Sequence, residues 1–212
     1  MHKKLCLIIC LVLTFSALGK INIIIDKTNP YQMIDLVSSR LFSRLKVEQN
    51  KIHTNPEHLK IIVEEELMPY VNSRYASFKL IGSELKNINL QDLHIFVTAF
   101  HKYLVTLYAQ VLTQYADQKI VLEPSPNLDN EKRIIGIKIK MFDISHPTIE
   151  FQFRLRKDLN SGEWSVFDII VEGISLLSSK RTEWSSKIRK NGLINVAEQL
   201  SELAEQRIQL ET

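Results

Sequence analysis

The chain has 212 residues, 45% of them hydrophobic and 24% charged, with six glycines and six prolines. That is the size of one domain plus at most a processed segment, and the mix excludes a disordered chain, a collagen-like repeat and a cysteine-rich mini-scaffold. Lysine and arginine number 27 against 24 acids, a net charge of +3. Lys3 and Lys4 belong to an acid-free leader, so composition makes no case for nucleic-acid binding.

His2, Lys3 and Lys4 form a positive start, Leu5 to Phe15 is an apolar run, and Ala17 and Gly19 are small residues at a −3/−1 spacing. This layout predicts a secretory signal peptide over residues 1–19, cut after Gly19, and a single domain over 20–212. Lys20 and Asn22 interrupt the apolar stretch where a spanning helix would continue. Ile9 before Cys10 does not fit a lipoprotein signal. Cys6 and Cys10 are the only cysteines, so the mature chain has no disulfide, which fits folding in an oxidising compartment such as a bacterial periplasm.

Asn29-Pro30 reads as a cap followed by proline at the first helical position, and Ile34, Val37, Leu41 and Leu45 then share one stripe to about Gln49. Asn55-Pro56-Glu57 repeats the signal ahead of Leu59, Ile62, Val63 and Leu67. Met68-Pro69 should stop or kink that helix, with a new one from Tyr70 to about Lys79. Pro69 reads first as a boundary and second as a hinge for a lid. Asn89 to Asp92 looks like a cap ahead of the longest helix, which should reach about Ala116. Its broad face holds Leu93, Phe96, Val97, Phe100, Leu104, Leu107, Tyr108, Val111 and Tyr115.

The period then changes from that of a helix to that of a strand. Lys119 to Glu123 is a short strand, and Pro124 to Asn130 a loop. In Lys132 to Phe142 and Thr148 to Lys157, apolar and polar residues alternate strictly, so one face should be apolar and one wet. Arg154 and Arg156 are expected on the wet face. Asn160-Ser161-Gly162 is a hairpin signal before a strand over Glu163 to Val171. Ile174 to Arg189 and Leu193 to about Arg207 read as helices. The expected class is α+β, a four-stranded curved antiparallel sheet with helices packed on one face, in the order helices, strands, helices.

Catalytic signatures are scarce. The six glycines never cluster, which excludes a phosphate loop and a dinucleotide fingerprint. His53, His58, His94 and His101 lack ligand spacing, so no metal is expected. Asp168 is an acid inside an apolar strand. It reads first as a carboxylate capping a helix or pairing with an arginine, and second as a general base. The load of Ile, Phe and Tyr over a one-sided sheet fits a container better than a catalyst.

Four blocks carry a resemblance: Asn29 to Asp35; Asn55 to Leu59 running into Glu66-Leu67-Met68-Pro69-Tyr70-Val71; Phe100 to Leu104; and Trp164 to Leu176, followed by Trp184. In this order they resemble the MlaC family, the Ttg2-type toluene-tolerance proteins that bind phospholipid in the periplasm. The resemblance implies a sheet like that of NTF2 under a helical layer, with acyl chains between them and the head group in water. It implies no enzyme activity and no cofactor, phospholipid being cargo. The partners it implies are an outer-membrane lipoprotein MlaA with a porin and an inner-membrane ABC transporter with an MCE-domain ring. The carrier itself would be a monomer that maintains outer-membrane lipid asymmetry. The expected pocket lining is Ile135, Ile137, Ile139, Met141, Phe151, Phe153, Leu155 and Ile169 from the sheet. From the helices it is Leu67, Val71, Tyr75, Phe96, Phe100, Leu104 and Tyr108. Asp168, Glu172 and Ser175 are expected to brace the strand-to-helix turn, with Ser175 as a cap. The rival readings are an NTF2-like isomerase or hydrolase using Asp168, and an exported protein-binding module with a small dry core.

Overall fold

A computed structural model describes residues 24–114, 119–124, 131–142 and 148–210. The leader, Tyr115 and most of the Pro124–Asn130 loop lie outside the described residues. Helix α1, Pro30–Val47, starts as expected: Asn29 Oδ1 accepts the Gln32 N–H at 3.1 Å and Pro30 opens the first turn. It ends at Glu48, which leaves helical geometry, and a short α2 follows over Gln49–Thr54. Helix α3, His58–Glu66, begins two residues beyond Pro56. The carbonyls of Asn55 and Pro56 form a turn that accepts the N–H groups of His58 and Leu59.

Pro69 lies in a single 3-10 turn, Met68–Tyr70, and the backbone then becomes extended at Val71. The expected helix from Tyr70 is therefore corrected: α4 spans Ser73–Ile81, capped by Asn72, whose Oδ1 accepts the Tyr75 N–H at 2.9 Å. The reason is tertiary. Val71 bridges to Val166, and the Asn72 N–H donates to the Val166 carbonyl at 2.7 Å. Helix α5, Leu90–Leu112, has the predicted Asn89 cap on the Asp92 N–H at 2.8 Å.

The sheet is antiparallel in chain order: β1 Lys119–Leu122, β2 Ile134–Phe142, β3 Ile149–Lys157, β4 Trp164–Val171 and β5 Ile174–Ser175. The expected four strands become five. Glu172 and Gly173 take positive φ, +48° and +80°, and fold Ile174–Ser175 back onto Val171 and Ile170. Two residues are too few to show alternation. Helices α6, Leu176–Asn191, and α7, Leu193–Ala204, follow, and beyond α7 the buried Ile208 donates its N–H to Glu57 Oε1 at 2.7 Å.

Two cores result. In one, Met33, Ile34 and Val37 of α1 cover Ile137, Ile139, Leu155, Trp164 and Val166 of the sheet. In the other, α5 packs against α3, α4, α6 and α7 through residues such as Ile62, Phe96, Phe100, Trp184 and Leu200. Leu67 and Val71 pack against both. Helix α5 has the length and hydropathy to cross a membrane. Here its apolarity serves burial in the helical core.

Helices also reach the face expected to be wet. Leu155 pairs with Val166 but Arg154 with Asp168, so Phe167 is an extra residue at a bulge. Its ring turns to Tyr75 of α4, 5.1 Å between centroids, and Arg154 stacks on it at 5.3 Å. Arg156 stacks on Tyr75 at 4.5 Å. The two arginines are thus half-buried against aromatic rings rather than solvated.

Candidate functional site

The α5 core and the sheet meet along a seam. A cavity of about 30 Å³ there is lined by Val71, Ala76, Phe100, Tyr103, Leu104, Leu107 and Tyr108 on the helical side, by Phe167, Asp168 and Ile169 of β4, and by Leu176, Leu177 and Lys180 of α6. A second cavity of about 210 Å³ lies between α1 and β1–β2, lined by Phe42, Ile120, Leu122 and Ile139 with Asp35, Ser38 and Ser39. Ile139 pairs with Phe151, and Phe153 with Ile169. The half-buried Phe151 and Phe153 therefore stand on the inner face between the two cavities.

Of the expected lining, Val71, Phe100, Leu104, Tyr108 and Ile169 come together in the seam, and Ile139 in the second cavity. Leu67 packs at the junction of the two cores. Ile135, Met141, Phe151 and Phe153 are half-buried on the inner face without lining either cavity. Ile137 and Leu155 are packed shut beneath α1, and Phe96 is buried in the helical core, stacked on Phe100. Tyr75 stands away from the seam, against Phe167 and Arg156.

Asp168 lines the seam, but its carboxylate is engaged. Oδ2 accepts the Ser175 hydroxyl at 2.8 Å, Oδ1 accepts the Leu177 N–H at 3.1 Å, and Arg154 Nη1 lies 3.8 Å away. Ser175 Oγ in turn caps α6 by accepting the Ser178 N–H at 3.0 Å. Glu172 Oε1 accepts the Glu150 N–H at 2.7 Å. All three residues brace the strand-to-helix turn. Burial, with help from the nearby Asp168 carboxylate and Tyr103, pushes the Tyr108 phenol well above its usual value. Burial also raises Tyr103. Both rings enter the seam uncharged at physiological pH. Burial opposes the charge on Lys180, yet Glu183 at 3.1 Å and the Tyr103 hydroxyl more than offset it, and its pKa is raised.

A third, open groove of about 570 Å³ runs past Val71, Asn72, Ser73, Arg74, His101 and Lys102. There Ser73 Oγ and His101 Nδ1 are 3.1 Å apart, and His101 Nε2 is 3.0 Å from Glu64. The chain of contacts ties α4, α5 and α3 together. Ser73 is buried in the first turn of its helix, 6% exposed, so the serine is held as a structural link. Among the described residues no three His, Cys, Asp or Glu side chains converge as a metal site.

A family model described as MlaC protein matches residues 35–202. The chain belongs to the MlaC family. It is 32% identical over 185 residues to the intermembrane phospholipid transport system binding protein MlaC of Haemophilus influenzae, covering 87% of this chain and 86% of that protein. It is 21% identical over 164 residues to the toluene tolerance protein ttg2D of Pseudomonas putida, covering 77% and 74%. The fold is similar to that of a Ralstonia solanacearum phospholipid-binding protein solved in complex with a phospholipid, with a TM-score of 0.71 at 14% identity, covering 84% of this chain and 97% of that one.

In this MlaC-family chain the block Trp164–Leu176 becomes β4, the tight turn, β5 and the first residue of α6. Sequence reasoning missed Tyr103, Leu107, Phe167, Leu176, Leu177 and Lys180 as seam residues. For Leu107 the signal was present, since it shares the α5 stripe with Leu104 and Tyr108. For the α6 residues there was none, because only the Glu172–Gly173 turn brings that helix under α5.

Proposed function

We propose that this chain is a phospholipid carrier whose acyl chains part the seam between α5 and the inner face of the sheet, with the head group left in water. The observation that carries this reading is the pair of separate hydrophobic cores facing one another across an apolar seam. The cavities of about 30 and 210 Å³ are smaller than the roughly 300–1,000 Å³ that drug-sized ligands occupy, so cargo must separate the layers. The names of the Haemophilus and Pseudomonas relatives support the reading.

Burying one CH₂ is worth roughly 0.8 kcal/mol, so a two-chain lipid with about 30 of them would cost on the order of 24 kcal/mol to strand in water. A seam of Leu, Ile, Phe and Tyr regains most of that, and so does a bilayer. Exchange between them is near neutral, and direction is set by a partner that hydrolyses ATP. We place the chain in the periplasm after removal of residues 1–19, moving lipid between an outer-membrane MlaA–porin complex and an inner-membrane MCE-type ABC transporter. It acts there as a monomer and without catalysis of its own. Asp168, the residue an enzyme reading would use, is spent on Ser175 and Leu177.

Native mass spectrometry of the mature protein, purified without detergent, tests this together with an organic extract. Added mass matching phospholipid is expected. A bare protein mass with no extractable lipid and a cooperative melt would overturn it.

A further inference from the structure

The net charge of this chain is concentrated in one element. Helix α6 carries Lys180, Arg181, Lys187, Arg189 and Lys190 against the single acid Glu183, a net of +4 where the whole chain has +3. The rest of the molecule, taken together, is slightly acidic. Glu183 pairs with Lys180 at 3.1 Å and Lys187 at 3.6 Å. Arg189 and Lys190 are exposed at the far end of the helix, with no carboxylate in ion-pair range among the described residues. Trp184 and Ile188 are buried, so they fix which side of α6 faces out. That side presents Ser178, Ser179, Thr182 and Ser186, all exposed and small.

Two further features sit at the other end of the same helix. Its first turn, Leu176, Leu177 and Lys180, lines the seam cavity. Just before it, the Glu172–Gly173 turn holds Ile174 out in solvent, 62% exposed. An apolar tip, a cavity wall and a cationic helix about 24 Å long are therefore continuous.

We propose that α6 is a membrane-docking rail that lays the protein on an anionic bilayer surface, with Ile174 entering the head-group layer and the seam opening at the lipid it exchanges. Lys and Arg attract anionic head groups over about a Debye length, and an interfacial apolar side chain adds a short-range anchor. The apolar tip favours a bilayer over an acidic protein surface, because a protein surface offers Ile174 no general place to insert. The proposal rests on the carrier reading for its purpose but not for its test.

The test is co-sedimentation of the mature protein with sucrose-loaded vesicles. One set is phosphatidylcholine with one-third phosphatidylglycerol, and the other is phosphatidylcholine alone. Binding to the anionic set, weakened by high salt, is expected. The Arg189→Glu/Lys190→Glu variant should bind roughly 25-fold or more weakly, and Ile174→Ser about two- to threefold more weakly. A control pair, Lys119→Glu/Arg133→Glu, reverses exposed cations by β1 and β2, toward the sheet edge opposite β5, and should stay within about threefold of the parent, since distant charges are screened. Equal binding to both vesicle sets, equal losses in the two double variants, or no vesicle binding by a protein that instead holds an acidic protein through α6 would each overturn the proposal. Melting curves of the variants establish that they are folded. Lipid extraction on the same samples separates the two readings: lipid without vesicle binding defeats the rail and leaves the carrier, and vesicle binding without lipid does the reverse.

Discussion

Asp168 has a side chain 2% exposed and holds together two elements that sequence alone leaves apart. Removing its carboxylate strands the Ser175 hydroxyl and the Leu177 N–H, and hydrogen bonds to a charged group are worth about 1.5–3 kcal/mol. Asp168→Ala should therefore lose about 2–3 kcal/mol in urea unfolding while still copurifying with lipid. Loss of a turnover activity with stability unchanged would favour the enzyme reading. Ile169 gives the opposite case. It is half-buried and lines the seam, so a polar group there costs the fold little but must be desolvated against an acyl chain. Ile169→Asn should keep its melting temperature within a few degrees and lose most of its extractable lipid. Leu155→Ala is the useful contrast. Leu155 is fully buried beneath α1, so its truncation should cost about 2–5 kcal/mol and leave the lipid content per folded molecule unchanged.

Helices α1, α2 and α3 are joined by a charged network. Arg44 reaches Glu48 at 3.2 Å, Glu65 at 2.6 Å and Glu66 at 2.8 Å, and Arg40 reaches Glu66 at 2.9 Å. His58 hydrogen-bonds to Glu48. That bond, joined by Arg44 and Lys51 against the opposing effect of burial, holds the Glu48 carboxyl below its usual range. The stabilisation is complete above the unfolded carboxylate value of roughly 4.3 and is lost as pH falls through the lower folded value. Glu48→Gln should lower stability at neutral pH by about 1.5–3 kcal/mol and flatten the acid limb of a urea-midpoint profile taken down to about pH 3. A parallel acid limb in parent and variant would rule Glu48 out as its source. At this scale the sequence was most readable where signals are local. The Asn29 and Asn89 caps and the alternation of β2 and β3 depend on neighbours a few residues away. The start of α4, strand β5 and the Phe167 bulge depend on Val166, Ile170 and Leu155, which are distant in the chain or too few to make a pattern. The site divides the same way. Alternation marked the inner face of the sheet, but whether an apolar residue lines the seam or fills a core is decided by where α1 and α6 lie. On one alternation Ile137 and Leu155 filled the core while Ile135 and Met141 stayed half-buried, and Ile169, which lines the seam, lies in a strand that is apolar on both faces.

Across the whole molecule, the two cores set the energetics of loading. A closed seam with a cavity of about 30 Å³ forfeits only about 0.7 kcal/mol at roughly 24 cal/mol per Å³. The closed seam therefore does not itself require cargo, and a lipid must replace the contacts it separates. A ligand that binds the folded state alone still stabilises it, by about 2.7 kcal/mol when free ligand is at 100 times its dissociation constant. For a domain of this size each kcal/mol moves the melting temperature by roughly 2–4 °C. The lipid-loaded protein should thus melt about 5–11 °C above the same protein after delipidation, and the shift should grow with added phospholipid. Both forms should show one cooperative transition, because Leu67 and Val71 pack against both cores and couple them. Identical melting temperatures would mean that the seam does not take lipid. Two separate transitions in the delipidated protein would mean that the junction at Leu67 and Val71 holds only when the layers are filled, and would make that junction, rather than the seam wall, the place where loading is sensed.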